Sequence, residues 1–251
     1  MKAILSSLAL IAMIIFLVLL MAGQMKMIHQ YKYAVLYFLF YFIDNLAIAL
    51  ANHYLNLQIT PNHLWEGFLL WGLSGKIYSI VSVLFLLCAI RSSLPFEEIG
   101  LTIRQHQGSI VPSSVIIFLI ALGSSAIGAL SPKGRFDLGL LLYLAILPGL
   151  NEELVYRGVL PACLDKFLPT KWDFASAKIG WSAIITTALF GLLHGLWLDD
   201  HFELHVEIVW IRNAMLSGII FAWLKERTGS LIMPILAHGA WDFFLFLPRM
   251  I

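Results

Sequence analysis

Charge is what this sequence has least of. Asp, Glu, Lys and Arg make up 12% of the residues, against roughly 25% in an average soluble domain, and they nearly cancel to a net +1. Such a balance offers no basic field to nucleic acid, and that class of partner is excluded. Cysteine is equally scarce. Cys88 and Cys163 stand far apart, too few for a disulfide framework or a cysteine-based zinc site. No segment repeats at a fixed period, and no low-complexity tract interrupts the chain.

What the chain has is apolar length. Sixty per cent of its 251 residues are hydrophobic and the mean hydropathy is +0.87, the signature of a polytopic membrane protein. Runs of about 18 to 25 apolar residues can cross a hydrocarbon core of roughly 30 Å. They occur at Ile4 to Ala22, Tyr33 to Ala51, Phe68 to Ile90, Ile110 to Leu130, Leu138 to Leu160, Ile179 to Leu198, Ile208 to Leu224 and Leu231 to Leu247. The expected fold is an all-α bundle of about eight transmembrane helices. The first run has too long an apolar core and no clean small-x-small site for a cleaved signal peptide.

An N-outside start places Lys26, Lys32, Arg91, Arg104, Lys166, Lys171, Lys178, Lys225 and Arg227 inside. Lys2, Lys133, Arg135 and Arg249 fall outside. Both termini are therefore expected on the outer side. The connection Ser92 to Ser109, with Pro95 and mixed charges, reads as an interfacial amphipathic piece. It divides the chain into an N-terminal part, 1–109, and a C-terminal bundle, 110–251, whose later spans hold most of the intramembrane charges.

Those charges are the informative feature, because each is costly in a bilayer unless paired or functional. In "PGLNEELVYRGVLP" Glu153 and Arg157 are i,i+4 neighbours able to pair on a helix, while Glu152 points about 100° away. Pro148 and Gly149 are expected to weaken the helix there. "ALFGLLHG" puts Phe190 one turn before His194, and "PILAHGAWDFF" sets His238 and Asp242 at i,i+4, where the carboxylate can orient the imidazole. Asp44, Asn45 and Lys76 in earlier spans read as interhelical polar glue. His201 and His205, among Asp199, Asp200, Glu203 and Glu207, read as a solvated acidic loop with metal binding as the alternative. Trp172, Trp181, Trp197 and Trp210 read as an aromatic belt.

The ordered motifs "EELVYR", "FGLLH" and "HGAWD", with the approach "RTGSLIMPILAHG", resemble the CPBP family of CAAX proteases and bacteriocin-processing enzymes, also called the Abi family. The resemblance covers Leu138 to Leu247. It implies an intramembrane endopeptidase whose catalytic bundle lies within 110–251. Glu152 is then the general base for the attacking water, helped by His194, while Glu153 and Arg157 shape and support the site. His238 and Asp242 match positions that stabilise the oxyanion or bind metal. Asp242 stands where many relatives have Asn. An ionised Asp cannot donate to an oxyanion, so its expected role is to hold His238 charged and oriented.

A metal-independent, glutamate-activated water is the expected chemistry, with no cofactor. Zinc held by Glu152, His194 and His238 is the alternative. The expected partners are the lipid bilayer and a membrane-associated substrate: a CAAX-type tail, a bacteriocin or signalling-peptide precursor, or another membrane protein. A prokaryotic plasma membrane is the expected location. Two rival functions are a non-catalytic immunity or scaffolding protein retaining the bundle, and a small transporter using its carboxylates as a proton relay.

Overall fold

A computed structural model describes residues 31–54, 73–199 and 201–251. The apolar run Ile4 to Ala22 lies outside them. Among the described residues the helices are α1 (Tyr31–Tyr54), α2 (Leu73–Ile90), the short α3 (Phe96–Ile99), α4 (Ile110–Ala129), α5 (Leu138–Glu153), α6 (Leu160–Phe167), α7 (Trp181–Gly195), α8 (Ile208–Thr228) and α9 (Ile232–Phe246). A π-helical turn, Leu154–Val159, joins α5 to α6 without a break.

Helices dominate because a backbone in lipid must satisfy its own hydrogen bonds. By length and composition four segments can cross a membrane: Lys32–Ala51, Ile110–Ala129, Leu138–Phe167 and Ile208–Thr228. Gly75–Ile90 and Trp181–Gly195 are apolar but shorter. The chain is an integral membrane protein on this pattern, with helices where seven of the expected spans fall and four of them long enough to span.

Three boundaries differ from expectation. The fifth run continues past Leu160 to Phe167 as one 30-residue segment. The sixth is shorter, because Gly180 (φ −123°, ψ 177°) and Leu196 (φ −127°, ψ 115°) are both extended and confine the helix to Trp181–Gly195. The flanking residues form two antiparallel hairpins, β1 (Lys171–Phe174) with β2 (Ala177–Gly180), and β3 (Leu196–Leu198) with β4 (Leu204–Val206), so the architecture is helical with short β additions.

The linker Ser92 to Ser109 also departs from an amphipathic interfacial piece. Leu94 and Ile99 are fully buried in the core, and Gly100 turns the chain at φ +88°. Leu231 N–H donates to Gly100 O at 2.9 Å and Ser230 Oγ to Thr102 O at 2.6 Å, docking the linker on the α8–α9 junction.

In the bundle α9 packs on α4 and α5, α7 on α8, α2 on α1 and α5, and α6 on α1 and α7. One core joins Tyr37 and Phe40 of α1, Leu87 of α2, Val155 and Val159 of the π turn, Leu164 of α6 and Phe190 of α7, crossing the division at residue 109. The α5–α9 contact is the closest for the site. A Cβ on Gly239 would lie 2.1 Å from the Ala145 carbonyl oxygen, and one on Gly149 would lie 3.0 Å from that of Ile235. Small residues let membrane helices approach this far.

Candidate active site

Three helices deliver their polar side chains to one place. Glu152 and Glu153 end α5, His194 is the penultimate residue of α7, and His238 lies midway along α9. Glu152 Oε2 is 4.0 Å from His194 Nε2 and 3.8 Å from His238 Nε2. Asp242 Oδ2 approaches the same His238 nitrogen at 3.6 Å. All six residues singled out in the sequence motifs thus stand in one connected cluster.

The adjacent glutamates face different partners. Glu153, completely buried, accepts from Arg157 Nη1 at 3.2 Å and from His238 Nδ1 at 2.7 Å. Arg157 stacks over the Phe190 ring at 4.0 Å and lies 5.4 Å from the Phe221 ring, which also stacks on His238. Glu152 instead takes Lys76 Nζ on Oε1 at 2.7 Å. Its Oε2 is buried and has no hydrogen-bond partner among the described residues. Exposure rises across the cluster from Glu153 at 0% to Glu152 at 16% and His194 at 36%, which leaves the His194 side open.

The hydrogen bonds fix both imidazoles. His194 Nδ1 lies 2.7 Å from the Phe190 carbonyl, a pure acceptor, so Nδ1 carries the proton and Nε2 of the neutral ring is an acceptor toward Glu152. His238 Nδ1 donates to Glu153, which turns its Nε2 toward Glu152 and Asp242. The orienting carboxylate of His238 is therefore Glu153 rather than Asp242, whose 3.6 Å approach to Nε2 is beyond hydrogen-bond length. The i,i+4 spacing does bring Asp242 to the ring, but across a helix interface Glu153 reaches the better nitrogen.

Glu152 Oε2 and His194 Nε2 are two acceptors 4.0 Å apart. A water donating to both along bonds of about 2.8 Å needs acceptors roughly 4.4 Å apart, close to the spacing found. The arrangement suits a water held by its two hydrogens with its oxygen lone pairs directed outward.

A zinc ion held by Glu152 would share that carboxylate with the Lys76 ammonium, with Glu153 and Asp242 as the further negative groups of the cluster. Among the described residues, the group whose ligand atoms lie within 4.8 Å of one another is Asp199, Glu203 and His205, at the β3–β4 hairpin. There Asp199 accepts from His205 Nε2 at 3.0 Å and from the backbone N–H groups of His201 and Glu203. The His205 bond first, then these amides, holds its carboxyl down at about 2.

Sequence reasoning missed Lys76, Asn151 and Ser79 as neighbours of the glutamates. Lys76 Nζ also donates to Asn151 Oδ1 at 2.9 Å, and Asn151 Nδ2 to Asp44 Oδ1 at 3.0 Å and Ser79 Oγ at 2.7 Å. The available signal was the lysine itself, a full charge in an apolar run that needs a counter-charge on another helix.

Residues 134–244 match the family model described as Rce1-like, type II CAAX prenyl endopeptidase Rce1-like. No curated protein and no solved structure matches the chain.

Proposed function

We propose, on the premise that this chain belongs to the CPBP family through residues 134–244, that it is an intramembrane endopeptidase cleaving a prenylated, CAAX-type C-terminal tail with a water activated by Glu152. The observation that carries this reading is the convergence of Glu152 Oε2 with two imidazole Nε2 atoms, at 3.8 and 4.0 Å, on the open side of the cluster.

In this mechanism the water sits between Glu152 Oε2 and His194 Nε2. Glu152 takes its proton as the oxygen attacks the scissile carbonyl. The tetrahedral oxyanion develops beside His238, whose imidazole Glu153 holds in place. Collapse breaks the C–N bond, and the proton on Glu152 passes to the leaving amine. The products are a carboxylic acid on the retained chain and a free amine on the released fragment, which then exchange the remaining proton to become carboxylate and ammonium, with no redox partner required. Phe190 and Phe221 wall the dry side of the cluster, where desolvation strengthens these polar contacts.

The test uses purified full-length chain in lipid nanodiscs and a quenched, farnesylated CAAX-type peptide, with product termini read by mass spectrometry. Wild type should release the C-terminal fragment, and Glu152→Gln should lower the rate by about 10² or more. Equal cleavage by the two would overturn the role of Glu152. Termini that appear in cells carrying wild type, and not in cells with equally expressed Glu152→Gln, would name the natural substrate.

A further inference from the structure

The family match begins at residue 134, yet the site extends into the helices before it. Lys76, on α2, is 3% exposed and gives one N–H to Glu152 Oε1 and another to Asn151 Oδ1, at 2.7 and 2.9 Å. Its placement is braced from behind. The Asn151 amide nitrogen is taken up by Asp44 and Ser79, and Ser79 Oγ itself donates to Asp44. With its nitrogen committed in this way, Asn151 turns its oxygen toward the ammonium. Three helices, α1, α2 and α5, therefore fix where the lysine head sits.

We infer that Lys76 is the positioning residue of Glu152: by holding Oε1 it directs Oε2 into the gap between His194 and His238. The inference rests on the proteolytic reading above. Glu153 Oε2 is also buried without a hydrogen-bond partner among the described residues, so an unpartnered oxygen alone does not mark a working carboxylate. What sets Glu152 apart is placement: one oxygen holds the cation and the other faces two imidazole Nε2 atoms at 3.8 and 4.0 Å. The division of labour between the two oxygens is what a fixed general base requires. The helices outside the family segment thus complete the site.

The experiment compares wild type, Lys76→Met, Lys76→Arg, Glu152→Gln and the double variant Lys76→Met/Glu152→Gln, each as full-length chain in nanodiscs. Two quantities are read: kcat and KM on the farnesylated peptide, corrected for folded fraction, and the free energy of unfolding. Lys76→Met should lower kcat by about 30-fold or more at a KM within about twofold, and Lys76→Arg should recover a substantial part of that loss. A kcat for Lys76→Met within about threefold of wild type would overturn the inference. The unfolding cycle needs no turnover: the two substitutions should be non-additive, with the double variant at least as stable as Lys76→Met alone. Additive losses would overturn the pairing itself. Wild type that cleaves nothing would instead refute the proteolytic reading, and with it the positioning role, whatever the cycle shows.

Discussion

Arg157→Met isolates the interaction on which the dry half of the site depends. Arg157 and Glu153 have side chains 1% and 0% exposed and meet at 3.2 Å across one turn. Removing one partner of a buried pair strands the other and costs about 3–5 kcal/mol. The guanidinium also lies 4.0 Å from the Phe190 ring centroid, and losing that contact adds about 0.5–2 kcal/mol. Methionine keeps most of the length and apolar contact of the arginine stem, so the combined loss of roughly 3.5–7 kcal/mol is mostly electrostatic. Against a typical total of about 5–15 kcal/mol, the variant should sit near its unfolding limit. The double variant Arg157→Met/Glu153→Gln removes the stranded charge while its amide oxygen still accepts from His238, and should regain about 2 kcal/mol or more. Unfolding in mixed micelles, followed by tryptophan fluorescence, measures both. A cost below about 1 kcal/mol for the single variant, or no recovery in the double, would refute the picture of a buried pair that holds His238 in place.

The α5–α9 contact and the β3–β4 loop make independent predictions. Gly239→Ala sets a methyl 2.1 Å from the Ala145 carbonyl oxygen and should cost about 1–3 kcal/mol. Gly123→Ala, with nothing within 4 Å, should cost nothing by the same unfolding assay. For the loop, the Asp199 carboxyl is held at about 2, below its ordinary 3.8, first by His205 and then by the Glu203 and His201 amides. A depressed carboxyl contributes order above its unfolded pKa and loses it as pH falls through the folded one. The His201 and Glu203 amide resonances should therefore titrate with a midpoint near 2; a midpoint near 3.8 would refute the bonding.

The local parts of the site were readable because they depend on helical spacing alone. Glu153 and Arg157 pair at i,i+4 as their positions imply, and Phe190 and His194 meet one turn apart. Contacts between helices carry no periodicity. Lys76 was visible as a costly charge, but nothing in its own run identifies Glu152, 76 residues on, as its partner. Helical spacing pairs the imidazole with Asp242 for the same reason, its rival Glu153 lying 85 residues away from His238 in sequence. Pro148 misled in another way. The missing N–H of a membrane proline can be offset by neighbouring groups, so α5 runs through it and the irregular geometry appears later, at Leu154–Val159. In the continuous 30-residue segment Glu152 is central.

The π turn acts as a vernier between two otherwise regular helices. Leu160 N–H reaches Val155 O, five residues back, so the chain carries one residue more than an α-helix would need over that stretch. Residues before it keep the register that presents Glu152 and Glu153 to the histidines. Residues after it are offset by about 100°, the angular step of one residue, which turns Cys163, Leu164 and Phe167 into the core. Deleting a single residue there would let the segment relax to uniform α-helix. Such a chain could seat its carboxylates or its α6 packing face, and no rotation of one rigid rod would restore both.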